Sequence, residues 1–136
     1  MKVVVDTNVL ISALIGHGKP RSLIIQLLEA HELATSREMM TEFIEVLTRT
    51  KFKEIRIRQV NNFLSILVSK AEVVRIEEPL NVIREDPDDN LVLSTGCTGK
   101  AEYVVSGDKH LLKLKQFRGI RIVSIKEMLE LLAKTA

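Results

Sequence analysis

The chain has 136 residues and a formal net charge of only +2, with 46% hydrophobic and 28% charged residues. That is enough chain for one globular core, taken here as a single domain over residues 1–136, and too little charge for a polycationic nucleic-acid coat. Trp is absent and a single cysteine, Cys97, excludes an internal disulfide and a thiolate metal cage, leaving it the role of a small buried hydrophobe.

No apolar run approaches the roughly 20 residues of a membrane helix. The N-terminus meets Asp6 too early for a signal-peptide core, so a cytoplasmic location is expected. Lys2–Val5 reads as a buried strand ended by Asp6. An apolar segment follows and closes in the loop Gly16-His17-Gly18-Lys19-Pro20, after which Pro20 suits the first turn of a helix carrying Leu23, Ile24, Leu27 and Leu28. Leu33-Ala34-Thr35 is a short strand. Thr35 and Glu38 read as a capping box opening a helix with Met39, Met40, Phe43, Ile44, Val46 and Leu47 on its apolar stripe. A further helix is expected from about Arg56 to Lys70, and a strand over 72–76.

Asp86 can cap a helix that begins at Pro87, carries Asp88 and Asp89 at its positive end, and stops at Gly99. A strand over 102–106, a short helix over 110–114 and a strand over 120–123 follow. Ser124 and Glu127 then cap a helix bearing Met128, Leu129, Leu131 and Leu132. Strands alternating with helices predict an α/β fold, a sandwich with a mostly parallel central sheet.

The five aspartates are distributed with purpose: Asp6 after the first strand, Asp108 after Tyr103-Val104-Val105-Ser106-Gly107, and Asp86, Asp88 and Asp89 at a helix start. Aspartate is depleted in strands, and in an open parallel sheet the ligand crevice lies beyond the carboxyl ends of the strands. Asp6 and Asp108 can therefore meet, with one acid of the cluster delivered by a helix N-terminus. A fourth carboxylate is sought on the helix after Thr35, where Glu42 flanks the apolar stripe while Glu38 and Glu45 face outward. Such a pocket suits a hard cation, Mg²⁺ or Mn²⁺. Each acid also has a local reading, as a turn residue, helix cap or surface acid.

Two basic groups, Arg49/Lys51/Lys53/Arg56/Arg58 and Lys109/Lys113/Lys115/Arg118/Arg121, suit phosphate contacts or simply solvated faces. The histidines His17, His31 and His110 show no ligand spacing. Walker A, dinucleotide-loop and GxSxG patterns are missing. A haloacid dehalogenase-like phosphatase would need a second Asp where Asn8 stands.

Val3-Val4-Val5-Asp6-Thr7-Asn8-Val9-Leu10, Asp86-Pro87-Asp88-Asp89-Asn90 and Val104-Val105-Ser106-Gly107-Asp108-Lys109-His110-Leu111-Leu112 resemble, in order and spacing, three motifs of PIN-domain ribonucleases. The resemblance covers nearly the whole chain and is nearest to the VapC-like toxins of prokaryotic toxin–antitoxin pairs. It implies a three-layer α/β/α sandwich and metal-dependent hydrolysis of RNA. The metal-binding and catalytic acids fall on Asp6, Glu42, Asp89 and Asp108, with Asp86 as an alternative to Asp89. Asn8 and Ser106 take the supporting polar positions. It also implies an RNA substrate, a homodimer and a small inhibitory antitoxin as partners. The contrasting reading is a PIN-like module that binds RNA or protein without cutting. Gly96, in a helix that is usually Ala-rich in this family, predicts a looser or shorter helix there.

Overall fold

The computed structural model describes residues 1–49, 57–84 and 86–135. In chain order these form β1 (Lys2–Val5), α1 (Thr7–Ile15), α2 (Lys19–Ala30), β2 (Glu32–Ser36), α3 (Arg37–Arg49), α4 (Ile57–Lys70) and β3 (Glu72–Val74). They continue with α5 (Pro87–Gly99), β4 (Tyr103–Val105), α6 (Lys109–Leu114), β5 (Gln116–Phe117), β6 (Ile120–Val123) and α7 (Ile125–Thr135). Among the described residues no helix is long and apolar enough to cross a membrane.

The strands make one sheet in the order β3-β2-β1-β4-β6-β5, parallel except for the β5–β6 pair. Side chains alternate across it as a pleated sheet demands. Val3, Val5, Leu33, Val105 and Val123 face one apolar cluster, which takes in Leu10, Leu23, Leu27, Phe43, Leu67 and Met128. Val4, Ala34, Val104 and Ile122 face a second, closed by Val92 and Leu93 of α5 and Leu111 of α6. Helices on both faces of a mostly parallel sheet give the expected three-layer α/β/α sandwich. Because β1 leads outward to β2 and β3 on one side and pairs with β4 on the other, the strand order reverses at β1 and β4. That reversal opens a crevice at their carboxyl ends.

Several local expectations shift. The cap of α3 is Ser36, whose hydroxyl accepts from the Met39 amide at 3.3 Å, and not Thr35. Thr35 is held in β2, paired with Val73 of β3. The strand over 72–76 ends at Val74, and a two-residue strand, β5, precedes β6. The Ser124–Glu127 box forms as expected, with both reciprocal bonds at 3.1 Å.

Helix α5 does not break at Gly96, which is buried where a Cβ would meet Ile120 Cδ1 at 3.2 Å and Val104 Cγ2 at 3.5 Å. Gly96 lets the helix sit low on the sheet. Gly99 does not itself take the left-handed stop. That falls to Lys100 (φ 56), while Gly99 admits Val74 of β3, whose Cγ2 lies 2.8 Å from its would-be Cβ.

Candidate metal and active site

Asp6 and Asp108 reach the same crevice because β1 and β4 are hydrogen-bonded neighbours, with Val5 opposite Val105. The Asp6 amide donates to the Val105 carbonyl at 2.9 Å and the Ser106 amide to Val123 at 3.0 Å, so both turns leave the sheet from fixed points. The fully buried Ser106 then ties them together. Its hydroxyl donates to Asp6 Oδ2 at 2.6 Å and accepts from the Asp108 amide at 2.9 Å.

Asp108 also caps α6, Oδ1 accepting from the amides of His110 at 2.7 Å and Leu111 at 3.3 Å. The local reading of Asp108 as a helix cap is therefore correct for one of its oxygens. It does not exclude a site role for the other.

Helix α5 brings in the aspartate cluster. Asp86 caps it, accepting from the Asp88 amide at 3.0 Å, with Pro87 following. Asp89, one turn in, is 4% exposed. Asp86, Asp89 and Asp108 each present a carboxylate oxygen within 4.8 Å of the others. The preference for Asp89 as the inward acid agrees with its burial, and Asp86 stands beside it rather than replacing it. Asp88 is exposed.

Glu42, on α3, lines a cleft with Asp88 and feels the charges of Asp88, Asp6 and Asp86, but neither it nor Asp6 belongs to the close group of Asp86, Asp89 and Asp108. Like Asp89, it carries a buried carboxylate oxygen with no hydrogen-bond partner, Glu42 Oε2 and Asp89 Oδ2. Asn8 is exposed. Its backbone amide lies beside the Asp6 carboxylate.

The electrostatics follow from crowding acids in a partly dry place. Burial pushes the Glu42 carboxyl up to about 8, with Asp88, Asp6 and Asp86 adding repulsion and Arg49 opposing. Burial also pushes Asp89 up to about 8, reinforced by Asp108, Asp86 and Asp6. Asp6 is raised chiefly by burial, against the Ser106 hydroxyl and the Asn8 amide. These acids are starved of positive charge. Orphaned buried carboxylate oxygens in an all-oxygen donor set fit a hard divalent cation, which satisfies them and relieves the repulsion.

Other polar residues escaped the sequence reading. Asn90 is buried, its Oδ1 accepting from the Val82 and Ile83 amides at 2.8 and 2.7 Å and its Nδ2 donating to the Ile83 carbonyl at 2.6 Å. Ser94 accepts from the Leu80 amide at 2.9 Å. Together they moor the segment before Asp86 onto α5. The only signal was two polar residues on a helix face expected to be apolar.

Cys97 is half-buried rather than core. It lines a cleft of about 500 Å³ with Lys100, Arg118 and Gly119 that shares no residue with the acidic group. Of the basic groups, Arg49, Arg58, Lys109, Lys113, Lys115, Arg118 and Arg121 are exposed, while Lys51, Lys53 and Arg56 lie outside the described residues.

The arrangement has counterparts. A protein of Methanocaldococcus jannaschii described as uncharacterised is 32% identical over 120 residues, covering 85% of this chain and 76% of its own length. The fold is similar to a chain in the crystal structure of VapBC2 from Rickettsia felis bound to a DNA fragment from their promoter. The TM-score is 0.63 at 17% identity, over 91% of this chain and 98% of that one. At that identity the likeness is one of fold. Residues 2–110 match the family model described as PIN domain. As that match runs from β1 past Asp108 and so contains every acid of the crevice, the chain belongs to the PIN domain family.

Proposed function

We propose that this protein is a metal-dependent endoribonuclease, and the toxin component of a toxin–antitoxin pair. PIN domains are generally nucleases. The observation that carries the reading is the close group Asp86, Asp89 and Asp108, in which Asp89 Oδ2 is buried without a hydrogen-bond partner.

Asp6, Glu42, Asp89 and Asp108 are the residues proposed to hold Mg²⁺ or Mn²⁺, with Asp86 beside them. Bound there, the cation supplies an activated water and neutralises charge building on a scissile phosphate. The chain's own residues do the positioning. Ser106 fixes the Asp6 carboxylate, and the cap of α6 fixes Asp108. The buried walls of α5 keep Asp89 poorly hydrated, so its charge is available to a cation rather than to bulk water. Asn8, exposed and next to Asp6 in its turn, is proposed as a supporting polar group.

A toxin acts with partners: an antitoxin and a second copy of the chain. The fold similarity to a VapBC2 chain supports the first. The exposed apolar residues Ile57, Ile66 and Val68 of α4 offer protein-contact surface. The alternative, a PIN-like module that binds RNA or protein without cutting, predicts no cleavage in Mn²⁺.

The test is cleavage of single-stranded RNA in millimolar Mn²⁺ by wild type and Asp6→Asn. Wild type cuts and a folded Asp6→Asn does not. Full activity in Asp6→Asn rejects this site assignment.

A further inference from the structure

Helix α3 does more than deliver Glu42. Arg37, Thr41, Glu45 and Arg49 recur every four residues along it, a ridge inclined to the helix axis. They line a single cleft of about 390 Å³ together with Glu38 and Glu42, walled opposite by Asp88 and Leu91 of α5. Arg37 and Arg49 mark its two ends, about 18 Å apart along the axis at 1.5 Å per residue. Both are exposed, and neither makes an ion pair with a described residue. Arg49 also opposes the repulsion on the Glu42 carboxyl.

We infer that Arg37 and Arg49 are positioning residues that hold the backbone phosphates of a single-stranded RNA at the two ends of the cleft that Glu42 lines. This rests on the nuclease reading above. Guanidinium groups bind phosphate in a planar, bidentate fashion that lysine does not reproduce. Their separation spans several nucleotides, so a strand held at both ends lies across Glu42. The cleft holds more carboxylates than arginines, so it does not attract a bare polyanion. The strand binds productively only once the acids carry their cation.

The test uses the full chain with Mn²⁺ and a fluorescent single-stranded RNA, measuring kcat and KM from 50 to 200 mM salt. The proteins are wild type, Arg37→Ala, Arg49→Ala, Arg49→Lys and, as a control on α7, Lys134→Ala. Arg37→Ala and Arg49→Ala raise KM at least fivefold with little change in kcat. Each also flattens the dependence of log KM on log salt by about 0.7, one phosphate contact on a single strand. Arg49→Lys recovers part of the salt slope, and Lys134→Ala matches wild type. A wild type that cuts, with arginine variants matching its KM and salt slope, overturns this inference alone. A wild type that neither binds nor cuts RNA overturns the nuclease reading and this inference with it.

Discussion

Ser106 Oγ lies 2.6 Å from Asp6 Oδ2, joining residues 100 positions apart in sequence, and the same hydroxyl takes the Asp108 amide at 2.9 Å. One buried hydroxyl thus sets the spacing of two carboxylates from different strands. Ser106→Ala leaves the Asp108 amide unsatisfied and frees the Asp6 carboxylate to turn. Loss of such a supporting group typically costs 10–100-fold in metal affinity or activity. The expected outcome is a fall of about that size in kcat/KM, with the fold retained by circular dichroism. Unchanged kcat/KM would show that Asp6 is held well enough by its backbone alone.

The crevice acids predict a metal-dependent gain in stability. A cation that binds only the folded state adds about 2.7 kcal/mol at 100 times its Kd, which is several degrees in a domain of this size. Thermal unfolding with and without millimolar Mn²⁺ therefore shifts upward for wild type. The shift disappears in Asp6→Asn/Asp108→Asn. An equal shift in that double variant would place the cation elsewhere on the surface.

Without metal, stability depends on pH in the direction opposite to that of an ordinary salt-bridged carboxylate. Glu42 and Asp89 are pushed up to about 8 in the folded state, well above the unfolded carboxyl range near 4. The folded state therefore binds more protons across the interval, and stability falls as pH rises. The contribution of these two groups is complete below about pH 4 and is lost as pH climbs through 8. In EDTA, Tm should be higher at pH 6 than at pH 8, and Asp89→Asn should flatten the difference. Protons and cation compete for the same oxygens, so Mn²⁺ affinity should run the other way, tighter at pH 8 with protons released on binding. A metal-free Tm that rises from pH 6 to pH 8 contradicts the burial of these carboxyls.

What the sequence revealed and concealed divides along physical lines. Asp6 and Asp108 were legible because a carboxylate at the end of a β-branched run has little local reason to be there, and parallel pairing of β1 with β4 does the rest. Helical periodicity put Glu42 only at the flank of a stripe formed by Met39 and Phe43, both buried, and its role as a ligand rests on the resemblance. The relation of Asp86 to Asp89 was not legible. Periodicity describes a helix face, whereas a cap residue reaches the crevice from the helix mouth. The mooring role of Asn90 depends on the path of residues 80–84, a loop with no periodicity to read. The exchange of Thr35 for Ser36 as cap follows from where the pairing of β2 with β3 ends, a tertiary fact. Gly96 misled because propensity describes an isolated helix, while its value lies in the close approach to Ile120 and Val104.

The two glycines of α5 should respond differently to the same added methyl. At Gly96, a Cβ would meet the tip of Ile120, Cδ1, at 3.2 Å. That tip can swing aside, and Ala gains up to about 1 kcal/mol in helix propensity. Gly96→Ala is expected to stay within about 1 kcal/mol of wild type. At Gly99 the Cβ would sit 2.8 Å from Val74 Cγ2. Valine is stiff at χ1 and Val74 is fixed in a strand paired with β2, so α5 or β3 must move. Overpacking of this kind destabilises by about 1–3 kcal/mol. Urea unfolding midpoints at unchanged m resolve both effects. If Gly99→Ala proves as stable as Gly96→Ala, the seating of α5 against β3 is looser than these contacts require, and Asp89 at the other end of the same helix is correspondingly less fixed.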